Sequence, residues 1–158
     1  TAAREGVMGK VEAAISRMNG HRVYLDTNIF VYFLDRNPDF FRIVSPIVQA
    51  VDAGRIIGVT GDAAIAETLV KPYRTGNLEL VSAVKGFFST EGFLSVQTHE
   101  RETFDLAAQL RAQRGMKFID ALHYATAIRS GCTFFVTNDL AIQSDHIIEV
   151  ISLKALHG

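Results

Sequence analysis

Apolar residues recur every three or four positions along the first eighteen residues, which is the spacing of one buried face of an α-helix. The residues with this spacing are Val7, Val11, Ala14, Ile15 and Met18. Asn19-Gly20 after them is a typical helix end. Short apolar runs without polar alternation then recur along the chain, which is typical of strands buried on both faces of a parallel sheet.

Predicted strands and helices alternate through the rest of the chain. Strands are predicted at about 23–25, 56–60, 93–96, 133–136 and 147–151. Helices are predicted at about 28–34, 40–53, 62–73, 78–88, 100–114 and 119–129, with a short helix after the fourth strand. Pro46 should kink or split the second of these helices. The alternation predicts one three-layer α/β domain over residues 21–158, with residues 1–20 as a helical extension.

The composition is that of an ordinary globular domain. The chain has 158 residues, of which 48% are apolar and 21% charged. The longest apolar run, 29–34, is far below the roughly 18 residues that a membrane helix needs, and we recognise no signal peptide. The single cysteine, Cys132, excludes an internal disulfide and a cysteine-based metal site. We therefore expect a cytoplasmic protein without membrane contact, with Cys132 buried.

The net charge of −1 argues weakly against a nucleic-acid-binding protein. If four acids surrounded a metal ion, however, 13 of the 17 acidic residues would remain against 16 lysines and arginines. The rest of the surface would then be mildly basic. The charge is therefore compatible with a nucleic-acid substrate but does not indicate one.

Four acidic residues stand in apolar surroundings. Asp26 ends the first predicted strand, and Asp139 follows the fourth. Glu67 lies in the helix after the second strand, and Asp120 opens the helix before the fourth. Because ligands of open parallel sheets bind beyond the carboxyl ends of the strands, we expect these side chains to meet there. Each also has a structural interpretation, since aspartate favours helix N-caps and turns and Glu67 could be an exposed helical residue.

Convergence of the four acids favours a metal site over four separate structural roles. Two carboxylates about 4 Å apart repel each other by about 4 kcal/mol at an effective dielectric near 20, which a fold tolerates when a cation lies between them. Oxygen ligands without cysteine or clustered histidine indicate Mg²⁺ or Mn²⁺. His123 shares a helix face with Asp120 and could hydrogen-bond near the site, but we expect it to be a packing residue.

Four segments resemble the signature segments of the PIN domain family. They are VYLDTNIFVYFL at 23–34, AIAETL at 64–69, FIDALHYATAI at 118–128 and FFVTNDLAI at 134–142. The acids have the family's order and spacing, and the resemblance runs from about residue 22 to residue 151. It implies a three-layer α/β/α sandwich with a parallel five-stranded sheet, and a metal-dependent ribonuclease similar to the toxin of VapBC toxin–antitoxin pairs.

The resemblance also implies the roles of individual residues. The acidic quartet, with metal-binding and catalytic roles, corresponds to Asp26, Glu67, Asp120 and Asp139. The supporting polar residues correspond to Thr27, Asn28, Thr137 and Asn138. One or two divalent ions would activate water for in-line attack on the phosphodiester, without a protein nucleophile. The implied partners are an RNA substrate, an antitoxin peptide near the active-site edge and a second copy of the chain in a homodimer.

An RNA substrate would need cations near the acidic pocket. Four stand close to the ends of the motifs and are candidates for phosphate contacts, with solvated surface charge as the alternative: Arg36, Lys71, Arg74 and Lys117. We expect Tyr32 and Phe33 to lie in the core or in a dimer contact, not beneath a nucleobase.

Three other functions stay open at this point. A non-toxin PIN nuclease could serve RNA processing or DNA repair, and the absence of a small upstream reading frame would favour it. A catalytically silent PIN module that binds nucleic acid is disfavoured by the complete set of acids. A phosphatase-type hydrolase could use Asp26 as a covalent nucleophile, but the second aspartate that such chemistry commonly uses two residues later is Asn28 here.

Overall fold

The computed structural model describes residues 2–158, except for the side chain of residue 3. Five strands form one parallel sheet: β1 (Arg22–Leu25), β2 (Ile57–Gly61), β3 (Ser95–Gln97), β4 (Phe134–Thr137) and β5 (Glu149–Ser152). The helices of the described residues are α1 (Ala2–Met18), α2 (Thr27–Leu34), α3 (Phe41–Asp52), α4 (Asp62–Arg74), α5 (Leu78–Phe88), α6 (Arg101–Arg114), α7 (Phe118–Arg129) and α8 (Leu153–His157). The predicted α/β/α fold with five parallel strands is confirmed.

The sheet has a topological switch point between its two central strands. Its order is β3-β2-β1-β4-β5, so successive strands build outward from β1 in one direction and from β4 in the other. Leu25 of β1 pairs with Val136 of β4, and the Asp26 N–H continues the ladder by donating to the Val136 carbonyl at 3.0 Å. The carboxyl ends of these two strands therefore lie side by side, where open α/β sheets bind their ligands.

Alternate residues of the central strands face opposite helical layers. Val23 and Leu25 pack into a core that includes residues of α1 to α5 and α8. Tyr24 packs on the other face with residues of α6 and α7, beside Phe135 of β4. Because these strands are buried on both faces, their sequences are continuous apolar runs.

Helix α1 packs against α3 and belongs to the larger of these cores. Its Val11, Ile15 and Met18 are buried, which accounts for their helical spacing in the sequence. The predicted boundary between residues 1–20 and 21–158 stays a prediction. Across residues 2–158, none of the helices, α1 included, combines the length and the apolarity needed to cross a membrane.

Local predictions differ from the structure at three points. Pro46 does not split α3, which is unbroken; its neighbours Val44 and Ile47 are buried and hold both halves of the helix against the core. The short helix predicted after the fourth strand is wrong, because residues 138–148 form a loop. Helix α8 has no counterpart among the predicted elements.

Candidate active site

Asp26 is held where β1 ends and α2 begins. Its Oδ1 accepts from the Thr27 backbone N–H at 2.8 Å, which makes Asp26 the N-cap of α2, and its Oδ2 accepts from the Thr137 hydroxyl at 2.6 Å. Burial raises the pKa of this carboxyl, and nearby His123 and the two hydrogen bonds offset only part of the rise. The cap interpretation is correct for Asp26. Asp26 is only 6% exposed, and both of its carboxylate oxygens accept hydrogen bonds. Both features disfavour a role as covalent nucleophile.

The loop after β4 is tied to α2 by polar side chains. The Thr137 hydroxyl accepts from the Asp139 N–H at 2.9 Å. The Asn138 N–H donates to Asn28 Oδ1 at 3.2 Å, and the Asn138 side-chain amide donates to the Tyr32 hydroxyl at 3.0 Å. These contacts brace the loop and set the position of Asp139 relative to β1 and α2.

Asp120 and Asp139 face each other. Asp120 lies in the first turn of α7, whose N-cap is Lys117, so the cap interpretation is wrong for Asp120. Its carboxyl lies near that of Asp139, whose Oδ1 accepts from the Ala141 N–H at 2.9 Å. Burial, repulsion from Asp139 and the charge of Asp26 raise the pKa of Asp120 to about 6. The negative charge of Asp120 is therefore poorly compensated.

Glu67 reaches the pocket from the second turn of α4. Its Oε1 accepts from the Thr27 hydroxyl at 2.5 Å and from His123 Nε2 at 2.7 Å. Partial burial would raise the pKa of Glu67, but these hydrogen bonds and the charge of His123 outweigh it, so the pKa is lowered. The interpretation of Glu67 as an exposed helical residue is therefore wrong, because its carboxylate is half-buried and held on two sides.

His123 lies within the pocket, although we expected it to be a packing residue. Its side chain is almost fully buried, with Nδ1 2.6 Å from the Tyr24 hydroxyl and Nε2 3.8 Å from Asp26 Oδ1. Because the Glu67 carboxylate can only accept, His123 Nε2 carries a proton, and in the neutral ring Nδ1 accepts from Tyr24. The sequence signal for this role was the three-residue spacing from Asp120.

The ligand chemistry of the pocket fits a hard divalent cation. The four predicted acids lie at one sheet edge as two linked pairs, Asp120 with Asp139 and Asp26 with Glu67 through Thr27. Within residues 2–158, no group of three or more acidic, histidine or cysteine side chains is arranged so that it could hold a metal ion as it stands. The raised pKa of Asp120 nevertheless marks uncompensated negative charge, which oxygen-bound Mg²⁺ or Mn²⁺ would relieve.

A groove of about 230 Å³ between α2, α4 and α5 includes Glu67 in its lining. Its walls are largely apolar, with Val31 and Val84 among the lining residues. Lys71 and Arg74, two of the predicted phosphate-binding cations, also line it. The groove therefore places apolar surface and positive charge beside the acidic pocket.

The other two predicted phosphate-binding cations, Arg36 and Lys117, are exposed and do not line this groove. Arg36 lies over the Phe41 ring, with its guanidinium carbon 5.3 Å from the ring centroid. Lys117 is exposed at the N-terminus of α7. Phosphate contact stays a prediction for all four cations. Tyr32 and Phe33 are half-buried and pack against the core, as expected.

The sequence of this chain matches the PIN domain family over residues 23–144. These residues run from β1 to the loop after β4 and contain the four acids. Comparison with curated protein sequences gives no match.

Solved structures with a similar fold include proteins of toxin–antitoxin systems. VapC20 of Mycobacterium tuberculosis, a toxin that cleaves the sarcin-ricin loop, is 12% identical, with 72% of this chain and 86% of that chain covered and a TM-score of 0.60. VapBC2 of Rickettsia felis, bound to promoter DNA, is 18% identical, with 83% and 98% covered and a TM-score of 0.63. A Klebsiella pneumoniae toxin–antitoxin complex is 18% identical, with 83% and 97% covered and a TM-score of 0.63. At these identities the similarity concerns the fold.

Proposed function

The chain belongs to the PIN domain family, and from this premise we propose that it is a divalent-metal-dependent ribonuclease. The observation that carries the proposal is the gathering of acids at one sheet edge: Asp139 and Asp26 lie near enough to Asp120 to help raise its pKa to about 6, and Thr27 links Asp26 to Glu67. Carboxyl groups that repel one another in a partly buried pocket are typical of a functional site. Binding of a metal cation is the function that makes use of this charge.

Asp26, Asp120 and Asp139 would hold Mg²⁺ or Mn²⁺ through their carboxylate oxygens. When bound, the cation supplies activation of water and stabilisation of charge on the phosphate. Asp26 enters the site already oriented, because the Thr137 hydroxyl and the first amide of α2 fix its two oxygens. This preorganisation limits the rearrangement needed during the reaction.

Glu67 and His123 supply the remaining chemistry of the pocket. The hydrogen bond from His123 helps to lower the pKa of Glu67 and keeps its carboxylate ionised. Glu67 can therefore bind the cation directly, orient a water molecule or accept a proton from it. The Tyr24 hydroxyl orients the His123 ring from the opposite side.

RNA cleavage by the toxin of a VapBC-type pair is the biological role we propose, with the chain acting as a homodimer. VapC20 of Mycobacterium tuberculosis, which cleaves the sarcin-ricin loop, and the Klebsiella pneumoniae complex share the fold and support this assignment. We assign the groove beside Glu67 to an antitoxin peptide, because its apolar walls suit an amphipathic segment that would cover the acids. Co-purification with the product of a small adjacent reading frame would support this partner, and absence of such a frame would favour a non-toxin nuclease.

A cleavage assay on structured and unstructured RNA with Mg²⁺, Mn²⁺ or EDTA tests the activity. We expect cleavage with metal, none with EDTA, and losses of at least about 100-fold for Asp26→Asn and Asp120→Asn. Asparagine is as good an N-cap as aspartate, so Asp26→Asn should keep α2 intact by circular dichroism. Asp52→Asn, at an exposed acid of α3, is the control and should cleave normally. Activity that survives both EDTA and the two substitutions would contradict the mechanism.

A further inference from the structure

Two phenylalanines of the helical layer formed by α6 and α7 point into solvent. Phe104 of α6 is 43% exposed and Phe118 of α7 is 48% exposed. The chain has eleven phenylalanines, and among the described residues 2–158 only these two are classed as exposed. Leaving two aromatic rings in water forgoes stabilisation that burial would provide, so their exposure calls for a functional explanation.

The two rings form an ordered platform. They are nearly parallel, at 9°, with their centroids 6.3 Å apart, within the range of offset aromatic pairs. The Arg111 guanidinium carbon lies 5.9 Å from the Phe118 ring centroid, which is a cation–π distance. Two parallel, exposed rings with a cation beside them differ from a scattered apolar contact.

Cations flank the platform along both helices. Arg101, Phe104 and Arg111 recur at helical spacing on the exposed side of α6, and Lys117 directly precedes Phe118. We call these five residues the aromatic stripe. Positive charge interleaved with exposed aromatic rings is the surface chemistry of proteins that bind single-stranded nucleic acid, where phosphates contact the cations and bases stack on the rings.

The aromatic stripe and the acidic pocket lie at the same end of α7. Phe118 and Asp120 share the first turn of α7. The ring of His99 lies 6.3 Å from that of Phe104, and His99 Nε2 accepts from the Ala63 N–H at the start of α4, the helix that carries Glu67. A strand of RNA with a phosphodiester at the acids could therefore extend over α6 and α7.

We propose that the aromatic stripe binds the RNA substrate by stacking an unpaired nucleobase on Phe104 and Phe118. This inference rests on the proposed ribonuclease function and adds a surface at which an unpaired base of the substrate would be held. The three cations of the stripe outnumber the exposed acids Glu100 and Asp105 beside it, and so favour a polyanion over a second copy of the chain or an antitoxin as the occupant.

The test is binding of a labelled, unstructured RNA by fluorescence anisotropy in EDTA, which prevents metal-dependent cleavage. Phe104→Leu and Phe118→Leu keep an apolar side chain but remove the ring, and each should weaken binding by about 5- to 100-fold. Tyr73→Leu is the matched control, because Tyr73 is also exposed and has a lysine, Lys85, 5.8 Å from its ring centroid. Tyr73→Leu should bind RNA as the unchanged chain does.

A probe of the same length with abasic sugars separates stacking from charge. The unchanged chain should lose affinity for the abasic probe, whereas the two leucine variants should bind both probes alike. Equal binding of base-containing RNA by the unchanged chain and both variants would overturn the proposal. So would a change of oligomeric state in light scattering with unchanged RNA binding, because the stripe would then be a protein interface.

Cleavage by the unchanged chain distinguishes failure of this inference from failure of the proposed function. If the chain does not cleave RNA but binds it through the rings, the stripe stands and the nuclease proposal fails. If it cleaves RNA and the leucine variants keep its KM, the stripe is wrong. Should a leucine variant unfold, Arg111→Gln must weaken binding and reduce its salt dependence, and unchanged binding by this variant would also overturn the proposal.

Discussion

Asp120 lies in α7 and Asp145 contacts the same helix, yet their carboxylates have neighbours of opposite kinds. The Asp145 Oδ1 accepts from the Ile147 and Ile148 N–H groups at 2.7 and 2.9 Å. Its Oδ2 accepts from the Tyr124 hydroxyl and pairs with Arg114 at 3.3 Å. These partners outweigh the effect of partial burial and lower the pKa of Asp145.

The contrast separates a structural acid, Asp145, from an acid for which we propose a functional role, Asp120. Every neighbour of Asp145 named above is a donor or a cation, so its charge helps to close the loop 138–148 onto α6 and α7. Asp120 instead faces Asp139, and its pKa is raised to about 6. Burial alone therefore does not distinguish the two acids, whereas burial among other acids is the feature that Asp120 shares with functional sites.

Removal of the Asp145 carboxylate should give the largest effect on stability. Asp145→Ala takes acceptors from two backbone N–H groups and from the buried Tyr124 hydroxyl, so we expect unfolding to become easier by about 2–3 kcal/mol in urea denaturation. Asp105→Ala is the control, since Asp105 is an exposed acid bonded by the Gln109 side chain, and it should change stability by less than about 0.5 kcal/mol. If the two substitutions changed stability equally, Asp145 would not be a structural acid, and its contrast with Asp120 would not hold.

Neutralising Asp120 should raise the stability of the folded chain, whereas removing the Asp145 carboxylate should lower it. Asp120→Asn relieves repulsion from Asp139, so without divalent metal at pH 7.5 we expect the Tm to rise by about 2–4 °C, on the order of 1 kcal/mol or less. Added Mn²⁺ should stabilise the unchanged chain more than the variant, because the variant lacks one carboxylate. A lower Tm for Asp120→Asn in EDTA would show that Asp120 is a structural acid like Asp145.

The pH dependence of this gain follows from the direction of the pKa shift. The folded chain holds the Asp120 proton up to about pH 6, whereas an unfolded chain releases it near 3.8. The cost of ionising Asp120 is therefore absent below about pH 3.8, grows between about pH 3.8 and pH 6, and is constant above about pH 6. Thermal unfolding from pH 4 to pH 8 should show an advantage of Asp120→Asn that increases up to about pH 6 and then levels off. An advantage that stays constant would point to another cause.

The fold and the meeting of the acids could be predicted because their determinants are local. Apolar runs and helical spacing mark the elements, and parallel strands bring their carboxyl ends to one edge, which placed Asp26 and Asp139 together. The pairing of Asp120 with Asp139 could not be predicted, because it depends on the packing angle of α7 against the sheet. The absence of a split at Pro46 has a similar cause, because core packing on both sides of the proline holds α3 together.

The roles of the polar and aromatic residues were harder to predict, because the type of a residue does not tell whether its side chain is buried or exposed. His123 lies in an apolar helix, so its spacing fits packing as well as a hydrogen bond to Glu67. Phe104 and Phe118 also lie in apolar helical patterns, and only the structure distinguishes their exposed rings from core residues such as Phe135. Tyr32 and Phe33, the aromatic residues beside the first motif, are half-buried, whereas Phe104 and Phe118 lie outside or at the edge of the motifs and are exposed.

His99 is a structural group that is held in its neutral form. Its substitution should change the stability less than substitution of Asp145 or Asp120. Its Nε2 accepts from the Ala63 N–H at 3.0 Å, so the neutral ring carries its proton on Nδ1 and donates to the Thr126 hydroxyl, also at 3.0 Å. Burial and the charge of His123 lower the pKa of His99, although Asp62 opposes this. Protonation of Nε2 would remove the acceptor that serves the first turn of α4.

The stabilisation from neutral His99 is fully present above its ordinary pKa of 6.5 and is lost as the pH falls through its lower folded-state pKa. His99→Gln keeps an acceptor within reach of Ala63 but does not titrate. Stability measured in urea between pH 6.5 and pH 5 should therefore fall less steeply in the variant, by less than the about 1.4 kcal/mol per pH unit that one proton can contribute. His146→Gln, at an exposed histidine, should leave the slope unchanged. If His99→Gln also leaves the slope of stability against pH unchanged, the neutral His99 ring is not a structural group comparable to Asp145.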